Sequence, residues 1–322
     1  MTAALVVLGD VLLDIDVRGR ADRRSPDAPV PVVEVHSQDY RPGGAGLAAL
    51  LAARDVDDVV LVGGLGTDSA ARRLRELLAG QVRLAELPLH GNTVCKQRIR
   101  ATGRYVGGDP SSPVAITRLD FGDGRLSDEP LPGLVRSVLR GAGAVLVADY
   151  GRGASAHPEV RALLTELAGR IPVVWDPHPR GAPPVPGTAL VTPNQSEARE
   201  FTSDGVPFEY AARELCDRWD TRAIAITLGA QGALFHRRGA PECLPIPIPE
   251  WLRPASGVDT CGAGDRFSAA ATAALHAGHG LACAVRNAVD TAAEFVCAGA
   301  ASSVRPGAAP EFDRYMRKAD LS

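Results

Sequence analysis

The sequence predicts an α/β fold, a doubly wound and mainly parallel sheet with a small β lid. Three observations lead there. Six short apolar runs reach Gly, Asp, Asn or Pro and are mostly followed by helix-compatible stretches, a strand-then-helix cadence. These runs are near-continuous in Val, Ile, Leu and Ala without polar alternation, as strands buried on both faces require. Two stretches, at about 15–35 and 93–119, break the cadence with turn residues and polar alternation, and each is too short for a core of its own.

Along the chain, ALVVLGD (4–10) is the first strand. It soon meets Asp10, Asp14 and Asp16, which argues against a signal segment or a membrane span and for a cytoplasmic protein. The first lid segment follows, then the glycine turn RPGGAG (41–46) and the strand VVLVGGLG (59–66). After the second lid segment come AVLVADY (144–150), PVVWDP (172–177), ALVTPN (189–194) and AIAITLG (223–229), each read as a parallel strand. Ligands of such sheets bind beyond the carboxyl ends of the strands. Asp10, Asp149, Asp176, Asn194 and Gly229 stand at that edge. The tail after Ser303 is expected to be loosely tied down.

The stretch VDTCGAGDRFSAAATAALHAG (258–278) runs a glycine-punctuated turn into an alanine-rich helix. The first turn of a helix offers unpaired N–H groups and partial positive charge, so it attracts anions, and Gly262 and Gly264 let phosphate oxygens approach the main chain. A carboxylate there repels phosphate. Asp265 is therefore either a residue stabilising the first helical turn or a base that takes a proton from an attacking hydroxyl.

Composition narrows the partners. The 322 residues carry 35 basic and 38 acidic side chains, a net charge of -3 without a long basic run, which favours a small molecule over nucleic acid or an anionic membrane. Six scattered cysteines without a C-x-x-C pair indicate neither a zinc site nor a disulfide framework. Of the 35 basic residues only Lys96 and Lys318 are lysines. A lysine kept in an arginine-rich chain suggests a need for a compact point charge.

The ordered motifs GDVLLD (9–14), RPGGAG (41–46), TPNQSE (192–197), TLGAQG (227–232) and DTCGAGD (259–265) resemble the pfkB, or ribokinase, family of sugar kinases over nearly the whole chain. Within it, RRSPDAPVPVVEV (23–35), CKQRI (95–99), TRLDF (117–121), ADYGRGA (148–154) and VTPNQSE (191–197) are most similar to the kinase half of the bacterial ADP-heptose pathway. The resemblance implies a single ribokinase-like domain over 1–322, ATP and magnesium as cosubstrates, and phosphoryl transfer to heptose 7-phosphate. Such kinases often carry a fused nucleotidyltransferase. A homodimer through the lid is implied in the same way.

Carried onto this sequence, the resemblance makes Asp265 the base and the main chain of Cys261, Gly262, Ala263 and Gly264 the cradle of the transferring phosphate. Asp14, Gly43 and Gly44 would hold the sugar. Lys96 and Arg98, on one face of a strand, would take the phosphate already on the substrate, with Arg152 and Arg23 as further candidates. Thr227, Gly229, Gly232 and Asn287 would line the nucleotide. Asn194 and Glu197, whose alternative reading is a capping pair, would reach magnesium through water. Asp259 and Thr260 face a monovalent cation in some members.

Three departures stand out. Leu47 replaces an Asn that commonly touches the sugar, His178 replaces a lysine, and Arg266 follows the base where a small residue or Thr is usual. They keep two alternatives open: a kinase of the same family for ribose, fructose or a keto-deoxy acid, or a catalytically weak sugar- or nucleotide-binding protein.

Overall fold

A computed structural model describes residues 3–106, 111–203, 205–255 and 257–304. The predicted loose tail and residues 107–110 of the second lid segment lie outside the described residues.

Strand β1 (Leu5–Gly9) is followed by the long β2 (Val11–Arg24) and β3 (Pro31–Gly44), then α1 (Ala45–Ala52), β4 (Val59–Gly64), α2 (Ser69–Leu78) and β5 (Arg83–Leu87). Next come the short β6 (Leu89–His90), β7 (Cys95–Thr102), β8 (Val114–Phe121), the short β9 (Arg125–Leu126), α3 (Gly133–Arg140), β10 (Ala144–Ala148), α4 (Pro158–Ala168) and β11 (Val173–Asp176). The chain continues through β12 (Leu190–Val191), α5 (Gln195–Phe201), α6 (Phe208–Arg218), β13 (Ala223–Thr227), β14 (Ala233–Arg237), β15 (Leu244–Ile246), α7 (Ala263–His276) and α8 (Leu281–Cys297).

Nine strands form the main sheet in the order β15-β14-β13-β12-β11-β10-β1-β4-β5, parallel except for the β14 and β15 edge. All six predicted strands lie in its parallel part. Period-two alternation divides the apolar residues between two helical layers. Leu5, Val7, Leu61, Leu146 and Val174 pack with residues of α1, α2, α7 and α8 on one side. Val6, Leu8, Val60, Val145, Val147 and Trp175 pack with residues of α3, α4 and α6 on the other. Each fully buried Val or Leu contributes about 1.5–3 kcal/mol, so double coverage is what holds this sheet.

A second sheet has the order β3-β2-β7-β8 and draws on both segments that broke the cadence. Its strands reach further into the body than 15–35, because β2 begins two residues after β1 ends and β3 runs directly into α1. The pairing sets Asp14 opposite Arg41 on one side and opposite Lys96 on the other.

Two of the sequence departures are packing features. Every residue of α1 is buried, and Leu47 is 2% exposed. Its Cδ2 lies 2.9 Å from where a Cβ on Gly262 would stand, so Leu47 fills the space beneath the glycine turn. Arg266 points away from the site: its guanidinium donates to the Leu51 carbonyl at 2.9 Å and to both oxygens of Asp55, at 2.5 and 2.9 Å. Helix α7 is thereby tied to the end of α1. Arg266→Ala should cost about 2–4 kcal/mol, the buried-pair penalty reduced for the partly exposed Asp55. Urea denaturation measures this, and a loss below about 1 kcal/mol would contradict the anchoring role.

Candidate active site

The first turn of α7 borders two different environments. On one side is a cavity of about 610 Å³ lined by Asn194, Thr227, Gly229, Gly232, Ala263 and Gly264, among others. Its walls are made apolar by Ile248, Phe267 and the α8 residues Val289, Ala292, Ala293 and Val296. Gly262 caps α7 with φ +81°, a left-handed conformation that an L side chain adopts only under strain. That kink turns the chain into the helix and leaves the main chain of 263–264 facing the cavity.

On the other side is a charged cluster at the base of the second sheet. Asp14 is 4% exposed and lies 3.3 Å from Nη1 of Arg98 and 3.9 Å from Nε of Arg41. Arg41 in turn pairs with Asp16. Three atoms here, Asp14 Oδ1, Arg41 Nε and Arg98 Nη1, are buried without a hydrogen-bond partner. Asp14 Oδ1 and Arg98 Nη1 face each other as an ion pair at 3.3 Å without hydrogen-bond geometry, so their charges offset one another while each keeps bonding capacity for a polar ligand. Gly43 borders the same carboxylate: a Cβ there would come within 2.8 Å of Asp14 Oδ2. Lys96 places Nζ 5.1 Å from the ring centre of Tyr150. Burial lowers the pKa of its ammonium, while Asp14 acts against that shift.

Asp265 joins the two environments. Its Oδ1 accepts from Tyr150 Oη at 2.7 Å. Burial pushes the Asp265 pKa up to about 7, the Tyr150 bond and Lys96 pull it down, and Asp14 and Glu197 push it further up. Burial raises the Tyr150 phenol well above its usual range, so it remains a donor.

Around this carboxylate stand more acids. Asn194 and Glu197 make the reciprocal capping box at α5, with Glu197 N–H donating to Asn194 at 3.0 Å and Asn194 N–H donating to Glu197 at 2.8 Å. Desolvation brings Glu197 to about 7. Asp176, at the end of β11, is raised well above the carboxylate range by burial and by the charges of Glu197 and Asp265. Among the described residues no group of three or more His, Cys, Asp or Glu side chains is close enough to hold a metal directly.

Several sequence expectations need correction. Asn287 is exposed on α8 and does not line the cavity, where the wall is apolar. Arg23 is exposed and pairs with Glu34 at 3.6 Å. The Asp259 carboxylate already accepts from the Cys261 N–H at 2.9 Å and meets Arg100 at 3.4 Å, so it gives no cage for a monovalent cation. Arg152 is half-buried, its backbone N–H bound to Asp10 and its charge acting on Asp120 and Asp123. His178 accepts from the Arg180 N–H at 3.0 Å, and burial, with Arg180 and Lys96, lowers its pKa, so it does not restore a cation. Tyr150 and Arg41 were missed, although both lie inside quoted motifs, because neither type reads as functional without its neighbours.

The profile of the pfkB family carbohydrate kinases matches residues 164–306. The chain is also similar to the bifunctional protein HldE of Streptomyces coelicolor, at 46% identity over 312 residues, covering 94% of this chain and 62% of that protein. This chain belongs to the pfkB family of carbohydrate kinases. With HldE of Nitrosococcus oceani the identity is 32% over 283 residues, covering 86% of this chain and 57% of the other. The chain thus spans about three fifths of the length of the curated relatives it matches. The same fold occurs in Arabidopsis thaliana ribokinase complexed with ribose and ATP, with TM-score 0.66 and 21% identity over 94% of this chain and 96% of that one. It occurs again in Escherichia coli phosphofructokinase-2 complexed with fructose-6-phosphate, with TM-score 0.62 and 20% identity over 90% and 92% of the two chains. Among the described residues no helix is long and apolar enough to cross a membrane.

The raised carboxylates have a consequence for stability. With Asp265 and Glu197 near 7 and Asp149 near 6, the folded chain holds more protons than the unfolded one between about pH 4 and 7. Their contribution is therefore favourable at low pH and lost as pH rises through that window. Asp265→Asn removes one buried ionisation, so it should raise Tm at pH 8 by several degrees and by progressively less toward pH 4. Thermal scans across pH measure this, and an equal change at both ends would contradict it.

Proposed function

We propose that this chain transfers the γ-phosphoryl group of ATP to a hydroxyl of a phosphorylated sugar, converting heptose 7-phosphate to heptose 1,7-bisphosphate. The observation that carries this reading is Asp265: its helical turn lines the nucleotide-sized cavity, while its carboxylate lies within the influence of Asp14 and Lys96. A base is useful only where donor and acceptor meet. A pKa of about 7 also suits proton removal near neutrality.

In this reading the adenine and ribose lie against the apolar α8 wall, and the main-chain N–H groups of Gly262 and Gly264 receive the transferring phosphate, that of Ala263 being bound to the Thr260 carbonyl. Asp14 and the turn at Gly43 and Gly44 hold sugar hydroxyls, with Asp14 Oδ1 accepting beside its ion pair with Arg98. Arg98 and Lys96, together with Arg41, present donors to the phosphate that the sugar already carries. Arg152 stands beside them as a further cation. Thr227, Gly229 and Gly232 shape the phosphate end of the cavity. We take the whole chain as one kinase domain with the second sheet as its lid.

Glu197 and Asp265 raise the proton affinity of Asp176, and Glu197 raises that of Asp265, a repulsion that a divalent cation would relieve. Asn194 and Glu197 would hold magnesium through its water shell. Held there, it would offset the charge that builds on the phosphate oxygens during transfer. Asp259 offers no comparable fit to a monovalent cation, and no step is assigned to one. The exposed Val35, Leu119 and Phe121 of the second sheet offer apolar area for a lid-to-lid dimer.

ADP release measured with a panel of sugars and sugar phosphates tests the reading, and heptose 7-phosphate should give the highest kcat/KM. Asp265→Asn should lower turnover about 10²–10⁴-fold with little change in ATP affinity. Turnover near that of the parent would remove the base assignment. Lys96→Met or Arg98→Met should weaken binding of the phosphorylated sugar by about 10–100-fold, the effect of losing one charge-assisted contact, and that of its unphosphorylated analogue much less. Equal losses for both sugars would assign these cations to lid structure.

A further inference from the structure

Tyr150 is a half-buried, ionisable side chain that the reading above does not use. It stands two residues after the end of β10, and its backbone N–H is held by Asp10 Oδ2 at 3.0 Å. Its hydroxyl reaches Asp265 Oδ1 at 2.7 Å from 115 residues away in sequence, and its ring carries the Lys96 ammonium on one face. We propose that Tyr150 is the positioning residue of the base: by donating to Oδ1 it turns Oδ2 of Asp265 toward the attacking hydroxyl as the oxygen that receives the proton. This rests on the kinase reading and deepens it.

The geometry has three consequences. A carboxylate held by one donor has its rotation fixed, so the second oxygen keeps its aim through the reaction. The hydrogen bond favours the ionised carboxylate, offsetting part of the cost of burying it. The ammonium on the ring face makes the phenol a stronger donor. The groups facing Asp265 are Asp14 from β2, Lys96 from β7, Tyr150 after β10, Asp176 at the end of β11 and Glu197 from α5. Of these, Tyr150 is the one with a hydrogen bond to the carboxylate.

In the step itself the sugar O–H bond breaks, its proton passes to Oδ2, and its oxygen lone pair forms the new bond to the γ-phosphorus. The bond from that phosphorus to the β,γ-bridging oxygen breaks, and ADP departs with the electron pair. Oδ2 later returns the proton to solvent. Tyr150 keeps its own proton throughout.

The test uses the intact protein in three forms: unaltered, with Tyr150→Phe, and with 3-fluorotyrosine at position 150, a nearly isosteric and stronger donor that guards against a folding failure. Carboxyl ¹³C NMR titration follows Asp265 in the protein without substrate, with Asp265→Asn identifying its signal. Tyr150→Phe should raise the midpoint by about one unit or more, and 3-fluorotyrosine should lower it. With the best sugar phosphate from the ADP-release panel, Tyr150→Phe should lower kcat at least tenfold at pH 6.5, move the acid limb of kcat/KM upward, and leave KM for ATP unchanged. An unshifted midpoint and limb in both forms would overturn the proposal. Failure of the kinase reading looks different: Asp265→Asn would keep its turnover whatever Tyr150 does.

Discussion

Asp10 holds in place the loop that carries Tyr150. It is 6% exposed and follows β1, and its two oxygens accept from the backbone N–H groups of Tyr150, Arg152 and Ala154 at 3.0, 2.9 and 3.1 Å. Three donors on one buried carboxylate fix the path of the loop that leaves β10. Asp149 braces the same loop from within. It accepts from the Gly151 N–H at 2.8 Å and from the Ser155 hydroxyl, and burial together with the nearby Asp10 charge keeps its pKa near 6. Gly181 packs so tightly on Asp149 that a Cβ would overlap it. The position of the Tyr150 ring is a consequence of these bonds, and the aim of Asp265 is a consequence of that ring.

The first turn of α7 must serve two electrostatic ends that conflict. Its N–H groups favour phosphate, while the carboxylate at its third residue repels it. The fold resolves this by direction. The main chain of 263–264 faces the cavity, whereas the Asp265 side chain leaves the helix toward Tyr150, Asp14 and Lys96. One residue further on, about 100° around the helix, Arg266 leaves toward α1 and binds Asp55. The base and the anchor are thus adjacent in sequence but serve different faces, and Leu47 supports the turn from below.

This geometry explains how far the sequence could be read. The parallel strands were legible because burial on both faces leaves continuous apolar runs, and strand ends locate a ligand edge before any contact is known. Motif order singled out Asp265, Asp14 and the glycine turns, and the fold brings Asp265 and Asp14 within electrostatic reach of each other. Leu47 and Arg266 misled because a position beside a functional residue was read as facing the same way. The helical repeat argues against that for Arg266, and for Asn287 too: the α8 wall at Val289, Ala292, Ala293 and Val296 follows the i, i+3, i+4, i+7 stripe, and Asn287 lies about 200° from Val289. Tyr150 and Arg41 were not legible, because their roles depend on partners far away in sequence.

Lys96 shows why a chain otherwise written in arginine keeps this lysine. Its strand lies beside β2 in parallel register, which sets Lys96 next to Asp14 and points it toward the face of Tyr150. Arg98, Arg41 and Arg118 already crowd the neighbourhood with planar guanidinium groups. A fourth fork would compete for Asp14 and for the space over the ring, whereas an ammonium is compact and its donors rotate. Burial lowers the Lys96 pKa and the carboxylate of Asp14 opposes that change, so the charge is kept at the expense of desolvation. In the proposed reading, an incoming phosphate would find that part of the cost already met, and it would meet the same ammonium that lies over the Tyr150 ring. Recognition of the substrate's existing phosphate and activation of its hydroxyl would then converge on one aromatic ring, held by the loop that Asp10 fixes.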